Sequence, residues 1–198
     1  MTRTYQQKKR AEQQEKTRLR IVEAAVALHG ELGPARTTMS AVAERAGVQR
    51  NTLYRHFPDE RALLHACSAH HVAQHPLPDP ADWLDIDDPV ARSRHGLRLV
   101  YAHWEADEAM TSHVVRDAEV HPLVGEVSRL RLGGPRAAIR EALLTAWPEG
   151  QRSPEVTASI DLALSFRTWQ TLVRGSGLSS DAAADLMAAA IACAAHRP

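Results

Sequence analysis

Four polar residues, Gln49-Arg50-Asn51-Thr52, stand together just after Gly47-Val48, and Tyr54, Arg55 and His56 follow them around a single apolar Leu53. Their common chemistry is hydrogen bonding. Arg pairs bidentately with guanine O6 and N7, and Asn or Gln with adenine N6 and N7, each worth about 1–3 kcal/mol of discrimination between bases. Tyr54 and His56 carry O–H and N–H donors that suit phosphate, fixing register without reading sequence. Thr38, at an expected helix start, suits phosphate as well, and Arg55 fits either task.

Side chains with this job need a short helix that fits a groove and a second helix to brace it. Thr38 is a plausible N-cap for a bracing helix in which Val42 and Ala46 face inward. Gly47 marks the sharp turn, where left-handed backbone costs least. The reading helix is expected from about Gln49 to His56, anchored by Leu53 and ended by Phe57-Pro58. Upstream, Ile21, Ala25, Leu28 and Leu32 recur at helical spacing as a core-facing stripe, and Gly33-Pro34 ends that helix. On geometry alone, a helical hairpin with a solvated tip fits these residues too.

Charge is unevenly distributed along the chain. The 198 residues carry no formal net charge, yet residues 1–66 hold twelve Lys/Arg against seven Asp/Glu, while residues 67–198 hold twelve against seventeen. The first part is drawn to phosphates and the second is repelled, so the charge orients the molecule. The apolar fraction of 44% is ample for a core. No apolar run reaches the roughly 18 residues of a membrane helix, and the basic N-terminus lacks a hydrophobic segment behind it, so a cytoplasmic protein without membrane partners is expected. Cys67 and Cys193 fit a reducing interior.

The rest of the chain also reads as helix. Residues 1–16 are polar and basic and are expected to form a flexible arm, residues 17–57 the DNA-binding head, and residues 58–75 a connecting helix stopped by Pro76. The segment 76–89, with four prolines and five aspartates, reads as a linker into residues 76–198. Helices are expected there over Val90–Ala106, Glu108–Val120, Leu123–Trp147, Pro154–Arg174 and Ser180–Ala195, with Gly133-Gly134-Pro135 as a kink or short loop. No segment shows sustained strand alternation, so the fold class is all-α. In the last helix Ala183, Leu186, Met187, Ala190, Ile191 and Ala194 share a stripe. It reads either as buried core or as half of a four-helix dimer interface.

The order Thr-Thr-Met-Ser-Ala-Val-Ala-Glu-Arg-Ala-Gly-Val-Gln-Arg-Asn-Thr-Leu-Tyr-Arg-His-Phe-Pro-Asp-Glu-Arg-Ala-Leu-Leu narrows this further. Over about residues 17–66 it closely resembles the N-terminal signature of TetR-family transcriptional regulators. The resemblance implies an all-α homodimer with a three-helix, helix-turn-helix DNA-binding head. It also implies a C-terminal helical domain that binds a small-molecule effector and dimerises through its last two helices. Such a protein is usually a repressor, released from a palindromic operator when ligand alters the spacing of the two heads. Thr38, Gln49, Arg50, Asn51, Thr52, Tyr54, Arg55 and His56 are then the expected DNA-binding residues. Two positions depart from the pattern. Gln49 stands where a small capping residue is common, and Glu60 replaces a frequent phosphate-binding lysine whose charge Arg61 or the N-terminal arm would supply.

Val-Val-Arg-Asp-Ala-Glu-Val-His-Pro at 114–122 is similar to a subset of TetR-type C-terminal domains. Trp104, Met110, His113, Arg116, Phe166 and Trp169 are the effector-binding candidates, with Arg116 and Asp117 either a local charge pair or a polar anchor in the pocket. The alternative is a metal- or redox-responsive regulator using His71 and His75, at i, i+4, with His65, His70, His103, His113 or His121. No cysteine or carboxylate motif completes a zinc set, so no metal or other cofactor is expected. No Ser/His/Asp order, Gly-rich phosphate loop or paired-acid signature points to an enzyme.

Overall fold

The computed structural model describes residues 3–196, and among these every regular element is helical. In chain order the α-helices are α1 (Arg3–Leu32), α2 (Met39–Arg45), α3 (Arg50–His56), α4 (Glu60–Gln74), α5 (Pro89–Ala106), α6 (Glu108–Val120), α7 (Pro122–Thr145), α8 (Pro154–Ala163), α9 (Phe166–Gln170) and α10 (Ser180–Ala195). Punctuation explains most of the ends. Asp88, Ser153 and Ser179 accept backbone N–H bonds as N-caps of α5, α8 and α10, with Pro opening α5 and α8. No helix among the described residues is long and apolar enough to cross a membrane.

Three expectations are corrected. Residues 3–16, expected as a flexible arm separate from the first helix, are helical and continue α1. Gln, Lys, Glu and Arg are good helix formers, and Glu15 pairs with Arg18 one turn on at 3.9 Å. Of the kink or short loop expected at Gly133-Gly134-Pro135, the loop is not formed: α7 runs through it with both glycines exposed and open space around each. The single helix expected over Pro154–Arg174 instead stops at Ala163 and restarts as α9, which ends in a π-turn at Thr171–Gly175. Tertiary bonding accounts for that stop. The buried Tyr101 hydroxyl donates to the Ala163 carbonyl at 2.9 Å, replacing a helical partner, and Ser165 turns extended so that Phe166 and Trp169 enter the core.

The chain forms two compact units. One comprises the chain up to Gln74 together with Ser112–Arg131, and the other His75–Thr111 with the chain from Leu132 onward. A single cut at residue 76 therefore does not separate them. In the first unit, Ile21, Ala25 and Leu28 from α1 meet Val42, Leu53, Phe57, Leu63 and Leu64, and Val124 and Val127 of α7 close the same core. In the second, α10 packs Ala183, Ala184, Met187, Ala188 and Ile191 inward. It lies against α5 and α8. Trp83, Tyr101, Trp147 and Trp169 are fully buried there.

The end of α1 is fixed by a polar cluster. Gly33 has φ +98°, and a Cβ there would lie 2.3 Å from the Arg116 guanidinium and 2.5 Å from the Asp117 carboxylate. Asp117, buried to 2% exposure, accepts from the Ala35 N–H at 2.9 Å and from Arg116 Nε at 2.7 Å. Arg116 also donates to the Leu32 carbonyl at 3.1 Å. One turn earlier, His29 is buried, its Nδ1 3.6 Å from the Cys67 sulfur.

Burial pulls the His29 pKa from 6.5 down to about 4, against the opposing charge of Asp117. The unfolded chain therefore binds more protons than the folded one between those values, and stability falls as pH drops from 6.5 toward 4. The loss attributable to His29 reaches about 3 kcal/mol at most. Urea unfolding at pH 7 and pH 4.5 tests this: His29→Gln should lower stability at pH 7 yet flatten the acid slope relative to the parent. Equal slopes would exclude His29 as a source of acid sensitivity.

Candidate nucleic-acid interface

The bracing and reading helices meet at a turn made by the backbone. Gly47 sits at φ +63° with nothing within 4 Å of a would-be Cβ. Its N–H reaches the Glu44 carbonyl at 3.0 Å, and the Val48 N–H reaches the Ala43 carbonyl at 2.9 Å, closing the end of α2. Thr38 caps the start of α2, its Oγ1 accepting from the Ala41 N–H at 3.1 Å. That bond uses an acceptor lone pair and leaves the hydroxyl proton to donate outward. Thr37, by contrast, spends its proton on the Gly33 carbonyl at 2.9 Å.

Two residues hold α3 in place. Leu53 is 0% exposed and Phe57, at the C-cap, 2%. The Arg18 guanidinium lies 5.0 Å from the Phe57 ring centroid, a cation–π contact from α1. Arg20 donates to the Ala46 carbonyl at 3.0 Å, and Arg45 pairs with Glu31 through two 2.7 Å bonds. With the apolar side so fixed, Gln49, Arg50, Asn51, Tyr54 and Arg55 are exposed, and Thr52 and His56 are half-buried. Arg50 and Tyr54, and likewise Asn51 and Arg55, are one turn apart and so share faces of the helix.

His56 is held below its usual pKa by burial, then by Arg55 and Arg18. At neutral pH it is an uncharged imidazole, still able to donate one N–H. Arg61, a proposed substitute for the missing lysine, is tied instead to Glu126 of α7 in an ion pair. Glu60 faces His121 at 3.8 Å, while Asp59 caps α4 through the Ala62 N–H at 2.7 Å.

The six effector candidates are not gathered in one place. His113 and Arg116 belong to the first unit, where they bond the His29 and Leu32 carbonyls. In the second unit Trp104 meets Phe166 edge-to-face at 5.7 Å between centroids, Phe166 stacks on Trp169 at 5.3 Å, and Met110 is buried in that unit too. Of the six, Trp104 alone lines a cavity of about 230 Å³ inside the second unit. Leu77, Val100, Arg136, Ala137, Ile139, Arg140, Asp161 and Leu164 complete its lining. The i, i+4 spacing of Arg136 and Arg140 was the sequence signal for that wall; nothing in one dimension brings Leu77 or Asp161 to it.

The histidines do not assemble a metal site: among the described residues no group of three or more His, Cys, Asp or Glu is placed to hold an ion. Cys67 is buried and its thiol is pushed up to about 12, so it lacks the thiolate a redox sensor needs.

Residues 21–67 match the model of the "Bacterial regulatory proteins, tetR family". This head is similar to that of tetR-family regulators. It is 36% identical over 92 residues to the HTH-type transcriptional regulator TtgR of Pseudomonas putida, the match covering 46% of this chain and 43% of that one. The chain thus spans less than half the length of that relative. It is 28% identical over 137 residues to an uncharacterized HTH-type transcriptional regulator of Mycobacterium tuberculosis, 69% of this chain and 68% of the other. A TetR-like transcriptional regulator from Rhodococcus sp. RHA1 shares the fold at 19% identity, with a TM-score of 0.60 over 88% of this chain and 93% of that one. The tetR match ends within α4.

The start of α3 lacks a side-chain cap. Gln49 has the extended backbone of an N-cap but makes no capping bond with its side chain. Gln49→Ser should stabilise the first unit by about 0.5–1 kcal/mol, and Thr38→Ala should cost about 1 kcal/mol. Denaturant midpoints check both, and a destabilised Gln49→Ser protein would contradict the capping account.

Proposed function

We infer that the protein is a DNA-binding transcriptional regulator of the cytoplasm, most simply a repressor, and not an enzyme. The observation that carries this is the reading helix itself: α3 turns its polar residues outward while Leu53 and Phe57 hold it from beneath. Gln49, Arg50, Asn51 and Thr52 lie at its leading end and read base edges in the major groove. Thr38, Tyr54 and His56 hold phosphates, with Arg55 available to either.

The protein acts as a homodimer on a palindromic operator, because two heads reading successive major grooves must stand about 34–36 Å apart. The last two helical segments supply the dimer surface. Half of the stripe expected on α10 is consumed within the subunit, as Ala183, Met187 and Ile191 are buried. What faces outward is Leu186 at 49% exposure with Ala190, and on α8 Leu162 at 57%. Exposed leucines of that size on two packed helices favour a second copy as their cover. A small-molecule effector in the second unit lifts the protein off DNA by favouring a different head spacing.

Gel shifts on the DNA flanking its own gene, or on duplexes selected from a random pool, test the assignment. Arg50→Ala and Tyr54→Ala should each weaken binding by about 1–3 kcal/mol, with dimer mass unchanged by light scattering. Affinity should also fall steeply as salt rises, through released counterions. Full binding in both variants would remove α3 from the interface.

A further inference from the structure

The cavity of about 230 Å³ in the second unit has an unbalanced charge. Its walls are apolar, built by Val100, Trp104, Ile139 and Leu164. Its polar groups are two guanidiniums and one carboxylate. Arg140 and Asp161 satisfy each other, Nε to Oδ1 at 2.5 Å. Arg136 lines the same cavity and has no acidic partner among the described residues. The residue is exposed overall, yet burial around its charged group lowers its pKa from the ordinary arginine value, with no neighbouring carboxylate to raise it. A guanidinium in that position stays charged at any physiological pH.

One unmatched positive charge beside an apolar wall selects a ligand with one negative charge and an apolar body. A cationic ligand finds no uncommitted carboxylate here, since Asp161 is taken, and a neutral one leaves Arg136 unused. Size sets a second limit. A cavity of roughly 150 Å³ holds benzene, so this one suits a body of about nine or ten heavy atoms. The planar fork of Arg136 matches a carboxylate through two parallel N–H bonds, and Trp104 is part of the apolar lining that would meet the other end.

We propose that this cavity binds a small aromatic or branched monocarboxylic acid, its carboxylate on Arg136 and its apolar body against Trp104 and Ile139. This deepens the effector-responsive reading above and rests on it for the consequence at DNA, though not for the binding itself.

Calorimetry on the full-length protein tests it with three probes of one shape: 3-phenylpropionate, its neutral amide, and 2-phenylethylammonium. The acid should bind about tenfold or more tighter than the amide, as expected for a charged hydrogen-bonded pair, and the ammonium should not bind. Arg136→Gln should erase the preference for acid over amide. Asp161→Asn, which releases Arg140, should strengthen acid binding and so moves affinity in the opposite direction from any general damage. Equal binding of acid and amide, a preference surviving in Arg136→Gln, or no acid binding up to roughly 10 mM would overturn the proposal. DNA retention is measured on the same samples. If the acid binds through Arg136 while DNA affinity stays constant, the site stands and the release of DNA by ligand falls. If DNA binding is absent altogether, the regulator reading falls and the calorimetry still decides the site.

Discussion

A reading helix of seven residues cannot hold itself together. Isolated helices shorter than about 12–15 residues are marginal in water, and α3 has only the span Arg50–His56 and no side-chain N-cap. Its existence depends on the burial of Leu53 and Phe57 against α1 and on the turn at Gly47 that delivers it there. Everything on its outer face follows from that anchoring. Because Leu53 points inward, Arg50, Asn51, Tyr54 and Arg55 must point outward, and a stiff platform on α1 gives them a defined geometry.

The platform is held by basic residues that bind protein groups, which separates them from Arg50 and Arg55, left exposed on α3. Arg18 covers the Phe57 ring, Arg20 holds the Ala46 carbonyl, Arg45 pairs with Glu31, and Arg61 pairs with Glu126. Counting Lys and Arg alone therefore overstates the charge free to meet phosphate. The other end of α1 is held by buried polar groups from α6. Asp117 ties down the Ala35 amide and Arg116 the Leu32 carbonyl, around a Gly33 whose backbone and close neighbours leave no room for a side chain.

Short-range signals were the ones legible in the sequence. The Thr38 cap, the Gly47 turn, the inward Leu53 and the limits of α6 and α10 are all written by residues within a turn or two of the place they act. What escaped depends on partners far along the chain. The stop at Ala163 is set by Tyr101, sixty-two residues away. Arg116 and His113 looked like pocket residues by position on a central helix, yet carbonyls of α1 claim both. The polar N-terminal stretch lacks an apolar stripe, which suggested an arm, but helix propensity continues α1 through it. The Arg136 wall was half visible as a helical pair of arginines, and only folding shows that Asp161 neutralises one and leaves the other.

The claim on which the account turns is that α3 is the surface that meets DNA. Hydrogen exchange read by mass spectrometry, on the full-length protein with and without a duplex selected from a random pool, measures this without altering a residue. Residues 37–57 should gain protection when DNA is added, while the outward faces of α8 and α10 exchange as before. Protection absent from residues 37–57, or confined to α8 and α10, would contradict it.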